Sequence, residues 1–264
     1  MTQAKILPKV EKDMNQALVI ENLTVSLAPG FFKPRKLILN EVNITVKSSR
    51  VYAFLGPNGA GKTTTIKAVL GLLPEFKGRI ELFGQPVGDP GLRSRVGYAP
   101  ENAYFSPFLT PGEILRTLGS LSGLSREVLE ANAKKWLDLL GLGDVENQLI
   151  KSFSKGMKQR LALVQALIHN PDFLIFDEPT TGLDPMGRNY VKQLLQQLKK
   201  EGKAVFLSSH HLLDTQEVCD DFCILNKGRI LIEGEARELL SKEANLEKYF
   251  VSHIQNDDLM VGTQ

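Results

Sequence analysis

The chain has 264 residues, 42% of them hydrophobic, which suits one large domain or two small ones around a true core. Its 32 basic and 30 acidic residues leave a formal net charge of +2, so bulk electrostatics argue for no nucleic-acid partner. Two cysteines, Cys219 and Cys223, make no disulfide framework, and neither a signal-peptide core nor a run near the roughly 18 apolar residues of a membrane span is present.

The expectation is therefore a protein soluble by itself in a reducing, cytoplasmic compartment, acting at any membrane through a partner. Residues 1–16 read as a loose polar leader. Apolar residues alternate over 17–27 and again over 41–46 (Val42, Ile44, Val46), the pattern of half-exposed antiparallel strands. Residues 28–36 between them, rich in Pro, Gly and Lys, read as a loop. Its basic run, Lys33-Pro34-Arg35-Lys36, is short and reads as solvated.

Residues 51–55 are apolar and read as a buried strand. The next eight, Gly56-Pro57-Asn58-Gly59-Ala60-Gly61-Lys62-Thr63, fit G-x-x-x-x-G-K-[ST], the phosphate-binding loop, and residues 64–70 read as a helix. A chance glycine-rich turn would not come with this strand–loop–helix context. The glycines let backbone N–H groups converge on a polyphosphate, and the helix start favours an anion. Lys62 should reach the β- and γ-phosphates, and the Thr63 hydroxyl should ligate Mg²⁺.

Ile80-Glu81-Leu82 alternates like the first strands. Between about 100 and 160 the texture changes: Pro100, Pro107 and Pro111 punctuate a loop, then Glu113-Ile114-Leu115 and residues 126–140 show helical spacing. This block reads as a helical insertion within an α/β core, with Trp136 packing inside it. Residues 153–160 lead into a buried helix over 161–168. Ser154 is a plausible N-cap and Gly156 allows close backbone approach. A second anion site and a simply capped helix both fit those residues.

Residues 173–176 and 204–207 are short continuous apolar runs, suited to parallel strands covered on both faces. The first ends in Asp177-Glu178, placing two carboxylates at the sheet edge where ligands bind in open α/β sheets. Asp177 should hold Mg²⁺, usually through water, and Glu178 should polarise a water for attack on the γ-phosphate. A solvated strand end is the plain alternative for that pair taken alone. Residues 212–219 read as a helix, Asn226-Lys227-Gly228 as a hairpin turn, and both cysteines as small buried apolar side chains.

In this order the motifs resemble the nucleotide-binding subunits of ATP-binding cassette (ABC) transporters, over roughly residues 17–250. Gly56 to Thr63 matches Walker A, Ser154-Lys155-Gly156-Met157 the signature, and Phe173 to Glu178 Walker B. Thr181-Gly182-Leu183-Asp184 matches the D-loop, and Ser208-Ser209-His210 the switch histidine. The resemblance implies an α/β fold: a P-loop NTPase (RecA-like) core with an antiparallel β-subdomain and an inserted α-helical subdomain. The implied sections are 1–98 (β-subdomain and Walker A), 99–160 (helical subdomain, Q-loop and signature) and 161–264 (Walker B, D-loop and switch His).

It further implies ATP and Mg²⁺ as cofactors and a head-to-tail dimer holding two ATP molecules, each signature facing the other subunit's Walker A. The implied nucleotide contacts are Gly56, Pro57, Asn58, Gly59, Ala60, Gly61, Lys62, Thr63, Thr64, Ser154, Gly156 and Asp184. Glu178 and His210 are the implied catalytic pair, His210 meeting the γ-phosphate and Asp184 aligning the two sites. Thr63, Glu101 and Asp177 are the implied metal contacts. His211 reads as a helix-start residue. The implied partners are a transmembrane permease and a second nucleotide-binding subunit, placing the chain on the inner face of the cell membrane.

Three positions depart from the family pattern. Tyr98-Ala99-Pro100-Glu101 puts Glu101 where the Q-loop usually has Gln, which adds charge and removes a donor. Met157 replaces the last Gln of the signature. The adenine-stacking aromatic near the first strand is not obvious: Leu27 stands about there, with Phe31 and Phe32 as substitutes in the loop. The first two departures are similar to those of ABC-2-type exporter subunits and favour export. A soluble cassette ATPase acting on nucleic acid or ribosomes is the alternative. Its DNA-repair form would need a long coiled coil, where only about 90 residues without sustained heptads separate the first motif from the signature. The presence of Glu178 and His210 disfavours a non-hydrolysing scaffold. A surface coupling to the permease is expected near residues 101–115, with Tyr104, Phe105 and Phe108, and no C-terminal regulatory domain is expected beyond about residue 250.

Overall fold

The computed structural model describes residues 15–28, 34–240 and 245–261. Phe31, Phe32 and most of the expected leader lie outside the described residues. The strands are β1 (Gln16–Leu27), β2 (Lys36–Lys47), β3 (Val51–Leu55), β4 (Lys77–Leu82), β5 (Gln85–Pro86), β6 (Val96–Ala99), β7 (Phe173–Asp177), β8 (Ala204–Ser209), β9 (Asp221–Asn226) and β10 (Arg229–Glu235). The helices are α1 (Lys62–Val69), α2 (Pro111–Leu121), α3 (Arg126–Leu139), α4 (Lys155–Leu167), α5 (Pro185–Lys200), α6 (Leu212–Gln216), α7 (Ala236–Leu239) and α8 (Leu246–Val261).

Two sheets result, and their burial follows from their sequence patterns. One has the order β2-β1-β4-β5 and is antiparallel throughout. Along β2, Val42, Ile44 and Val46 are buried while Glu41, Asn43 and Thr45 face outward, as alternation dictates. The other has the order β10-β9-β3-β8-β7-β6, parallel except for the β10 edge. Every residue of β3, β7, β8 and β9 is buried, as expected for strands covered on both faces.

The parallel sheet separates two apolar cores. Tyr52, Phe54, Phe173, Ile175 and Phe206 face the antiparallel sheet and α1, meeting Leu18, Ile20, Leu23 and Ile66. Val51, Ala53, Leu55, Leu174, Phe176 and Leu207 face the helices, meeting Leu163, Val164, Val191, Leu194 and Leu198. Successive residues of one strand thus serve opposite cores.

The helical block begins at Thr110, whose hydroxyl accepts from the Glu113 amide while the Glu113 carboxylate accepts from the Thr110 amide. This reciprocal capping box, with Pro111 in the first turn, sets the start of α2. Ser125 caps α3 and Ser154 caps α4. Trp136 is buried in the core, as its helical spacing predicts. Phe105 is buried too, whereas Tyr104 and Phe108 are 91% and 76% exposed.

The hairpin at residues 226–229 closes through Lys227 and Gly228, both at positive φ (44° and 79°), the signature of a type I′ turn. A Cβ on Gly228 would stand 2.2 Å from the Ile38 carbonyl oxygen, so only glycine fits. The Gly228 amide donates to Ala60 O at 3.0 Å and its carbonyl accepts from Asn40 N at 2.9 Å. That turn therefore braces the phosphate loop against the first sheet. Helix α6 is shorter than its sequence signal, and Cys219 lies beyond its end.

Candidate nucleotide site

The cavity is assembled by strand register. Leu55 of β3 pairs with Ser209 of β8, and Asp177 of β7 pairs with Ser208 of β8. Three parallel strands therefore end at one sheet edge, and the segments after them turn toward a common space. An open cavity of about 660 Å³ lies there. Of the expected site residues, Pro57, Asn58, Gly59, Gly61, Lys62, Thr63, Thr64, Glu101, Glu178 and His210 line it.

The loop makes its turn with Gly59 at φ 81° and Gly61 at φ 117°, conformations that side chains rarely adopt. Gly61 is the N-cap of α1 and offers no side-chain cap, which leaves first-turn amides for an anion. Gly56 supports the loop from behind, since a Cβ there would stand 2.5 Å from Leu225 O. Ala60 is buried beneath it.

Lys62 is only 6% exposed, and its ammonium is held by the protein itself. It donates to Gly56 O at 2.6 Å and Pro57 O at 3.4 Å, and stands 3.2 Å from Glu178 Oε1. That oxygen is buried and accepts no hydrogen bond. The other oxygen, Oε2, lies 2.7 Å from His210 Nδ1, 3.2 Å from the His210 amide and 3.5 Å from Thr181 Oγ1. An acceptor-only carboxylate makes His210 Nδ1 the donor, which turns the other ring nitrogen to different partners. Glu178 holds φ 51°, a strained setting for a non-glycine residue of the kind that clusters at functional sites.

Asp177 is oriented on both oxygens. Thr63 Oγ1 donates to Oδ2 at 3.2 Å, and Ser208 Oγ donates to Oδ1 at 2.6 Å while accepting from the Glu178 amide at 3.0 Å. Ser208 thus ties the Asp177 carboxylate and the Glu178 backbone to β8. In the sequence Ser208 stands out only as part of the switch-histidine motif, and Thr181 only as part of the D-loop. Ile38 of β2, another wall of the cavity, carries no sequence signal, because a fold contact brings it there. Leu27 is not among the lining residues.

Ser154, Gly156 and Asp184 do not line this cavity. Ser154 Oγ accepts from Met157 N at 3.2 Å, and Asp184 Oδ1 accepts from Gly187 N at 2.8 Å. Gly156 packs where a Cβ would meet Leu183 Cδ2 at 3.3 Å, so the signature and D-loop segments touch each other. Both cysteines are free. Among the described residues no cluster of three His, Cys, Asp or Glu side chains can hold a metal. The hard oxygens of Thr63 and Asp177 instead suit an ion that takes one or two protein ligands plus phosphate and water. Among the described residues no helix is long and apolar enough to cross a membrane.

Residues 39–181 match the ABC transporter family. A solved structure described as the ATP-binding subunit of an ABC transporter superposes with a TM-score of 0.80 at 30% identity, over 90% of this chain and 99% of that one. An uncharacterized ABC transporter ATP-binding protein of Synechocystis sp. is 39% identical over 242 residues, covering 90% of this chain and 68% of its own. Nod factor export ATP-binding protein I of Burkholderia lata is 38% identical over 210 residues, covering 79% and 69%. A nucleotide-sized cavity built on a phosphate loop, within a fold shared over nearly the whole chain, leads to one conclusion: this chain belongs to the ABC transporter family, as an ATP-binding subunit that hydrolyses ATP.

Proposed function

We propose that the chain powers export through a separate membrane permease, from the inner face of the membrane, as one of two nucleotide-binding subunits that close on ATP. The observation that carries this reading is the convergence of Lys62, Thr63, Glu178 and His210 on one open cavity, with Asp177 buried behind it and bonded to Thr63. Relatives named for Nod factor export, and the Glu101 and Met157 departures, support the direction.

In this reading the loop amides and Lys62 grip the β- and γ-phosphates. The same lysine must then leave Glu178 Oε1, which frees that oxygen to take a proton from the attacking water. His210 holds the Glu178 carboxylate through Nδ1 and turns toward the γ-phosphate. Mg²⁺, when bound, neutralises charge on the phosphate oxygens, and Thr63, Asp177 and Glu101 are the residues that would hold it. Ser154, Gly156 and Asp184 serve the nucleotide of the second subunit, so ligand-driven closure is a population shift between open and closed pairs.

The division of labour follows sections 1–98, 99–160 and 161–264, with α4 running continuously across the last boundary. Tyr104 and Phe108, exposed beside Glu101, are the aromatics offered to the permease; the buried Phe105 belongs to the core. The test is Glu178→Gln. Steady-state ATPase should fall by about 10²–10⁴ while ATP binding persists. An unchanged turnover would remove Glu178 from its role. For the coupling surface, serine at Tyr104 or Phe108 should lower transport by the reconstituted complex without lowering ATPase of the isolated chain; equal transport argues the surface away.

A further inference from the structure

Behind the D-loop and the switch histidine lies a pair of charges that the cavity does not account for. Arg188 sits one turn into α5, and its amide donates to Asp184 O at 3.0 Å. Asp214 sits in the first turn of α6, four residues after His210. Arg188 Nη1 and Asp214 Oδ2 are 3.6 Å apart, an ion pair too long for a hydrogen bond. Overall the two side chains are 41% and 36% exposed. Yet Arg188 Nε and Asp214 Oδ2 are themselves buried, and neither has a hydrogen-bond partner.

A buried guanidinium nitrogen and a buried carboxylate oxygen, each without a hydrogen-bond partner, are unfavourable, more so because both groups are charged. A guanidinium fork placed on the carboxylate would satisfy both at once. There is room for that movement: a cleft of about 240 Å³ lined by Pro185, Arg188, Asn189, Lys192, Asp214 and Glu217 separates the outer edges of the two helices.

Each charge is fastened to one nucleotide-facing segment. On the α6 side, His211 O accepts from Thr215 N at 3.2 Å and from Thr215 Oγ1 at 2.8 Å, while His211 N donates to Ser209 Oγ at 2.9 Å. The His210 and His211 rings lie 4.2 Å apart at their centroids, and His210 holds Glu178. On the α5 side, Asp184 caps the helix that carries Arg188. Where the two helices close to bring Arg188 onto Asp214, the D-loop and the switch histidine move relative to each other.

We propose that Arg188 and Asp214 are positioning residues: their pair closes into a forked hydrogen-bonded contact in the ATP-loaded state and so sets His210 and Asp184 in register. Neither side chain lines the cavity of the phosphate loop. The proposal rests on the reading of His210 and Asp184 given above.

The test is steady-state ATPase of the full chain carrying Arg188→Gln, Asp214→Asn, or Arg188→Glu with Asp214→Arg. Each single change should lower kcat about tenfold with KM for ATP within about twofold, and the exchanged pair should recover to within about threefold of wild type. Lys192→Gln is the control, since Lys192 pairs with Glu217 across the same helices in solvent; it should change kcat by less than about twofold. Unchanged kcat in both single variants overturns the proposal. So does a shift in KM instead of kcat, or an exchanged pair no better than the singles. Where a single variant loses its cooperative thermal transition, the exchanged pair decides alone. Wild type and Glu178→Gln run alongside: equal turnover in those two refutes the hydrolytic role of Glu178, whereas failure of the clamp leaves their ratio intact.

Discussion

The edge that carries Lys62, Thr63, Asp177, Glu178 and His210 and the edge that carries Ser154, Gly156 and Asp184 are organised in opposite ways. On the first, functional groups hold one another across strands distant in sequence. Lys62 meets Glu178, Thr63 meets Asp177, and Ser208 joins the Asp177 carboxylate to the Glu178 amide. On the second, each polar side chain serves the start of its own helix: Ser154 caps α4 and Asp184 caps α5. The first edge owes its geometry to long-range packing, the second to local capping, and substitutions should separate the two.

The largest effect is expected at the first edge. Lys62→Ala removes a charge-assisted phosphate contact and should weaken ATP binding by about 10–100-fold. Equilibrium binding of a fluorescent ATP analogue reads this directly, and normal affinity would break the comparison at its strongest point. At the second edge, Ser154→Ala loses an N-cap. It should cost about 1 kcal/mol in denaturant unfolding while the affinity of the isolated chain for ATP stays the same. A loss of that affinity would mean the two edges are not built separately.

A smaller effect tests the long-range packing itself. Glu233 of β10 accepts from Tyr52 Oη at 2.7 Å and from the Thr45 amide at 3.3 Å, joining the two sheets. Burial holds its carboxyl above the usual range, against the pull of those two hydrogen bonds. The folded chain therefore binds this proton more tightly than the unfolded chain. Its contribution to stability is full below the ordinary carboxyl pKa and is lost as pH rises through the raised folded value. Glu233→Gln keeps an acceptor and removes that loss. The variant should gain on wild type as pH rises above the ordinary carboxyl range; parallel stability curves would dismiss the argument.

The smallest expected signal is a lack of reaction. Burial pushes the Cys219 thiol up to about 12 and the Cys223 thiol well above its ordinary value. At about pH 8 the folded protein should resist a thiol-labelling reagent that modifies both cysteines once it is unfolded. Rapid labelling of the native form would show that the region between α6 and β9 opens readily.

Much of this architecture is legible before any coordinates, but unevenly. The phosphate loop is legible because its glycines, lysine and flanking strand and helix are contiguous. Strands β3, β7 and β8 are legible because burial on both faces demands unbroken apolar runs. The sequence reading assigns no helix to Pro185–Lys200, although Asp184-Pro185 is a sound start and Val191, Leu194, Leu195 and Leu198 follow helical spacing. Strand β6 has no comparable signal. Its Gly97 disfavours a strand by propensity, yet a Cβ there would stand 2.1 Å from Ala166 O, so packing against α4 demands glycine.

By itself the sequence determined the class of ligand, the order of the motifs and the apolar faces, because each depends on neighbours a few residues apart. Only the tertiary structure decided that Lys62 lies against Glu178, that Ser208 joins the Asp177 carboxylate to the Glu178 amide, that Ile38 walls the cavity and that Arg188 faces Asp214. Those pairings depend on strand register and helix docking, which bring together residues separated by tens to more than a hundred positions. No local pattern encodes which of the many compatible polar partners a folded sheet will place opposite one another.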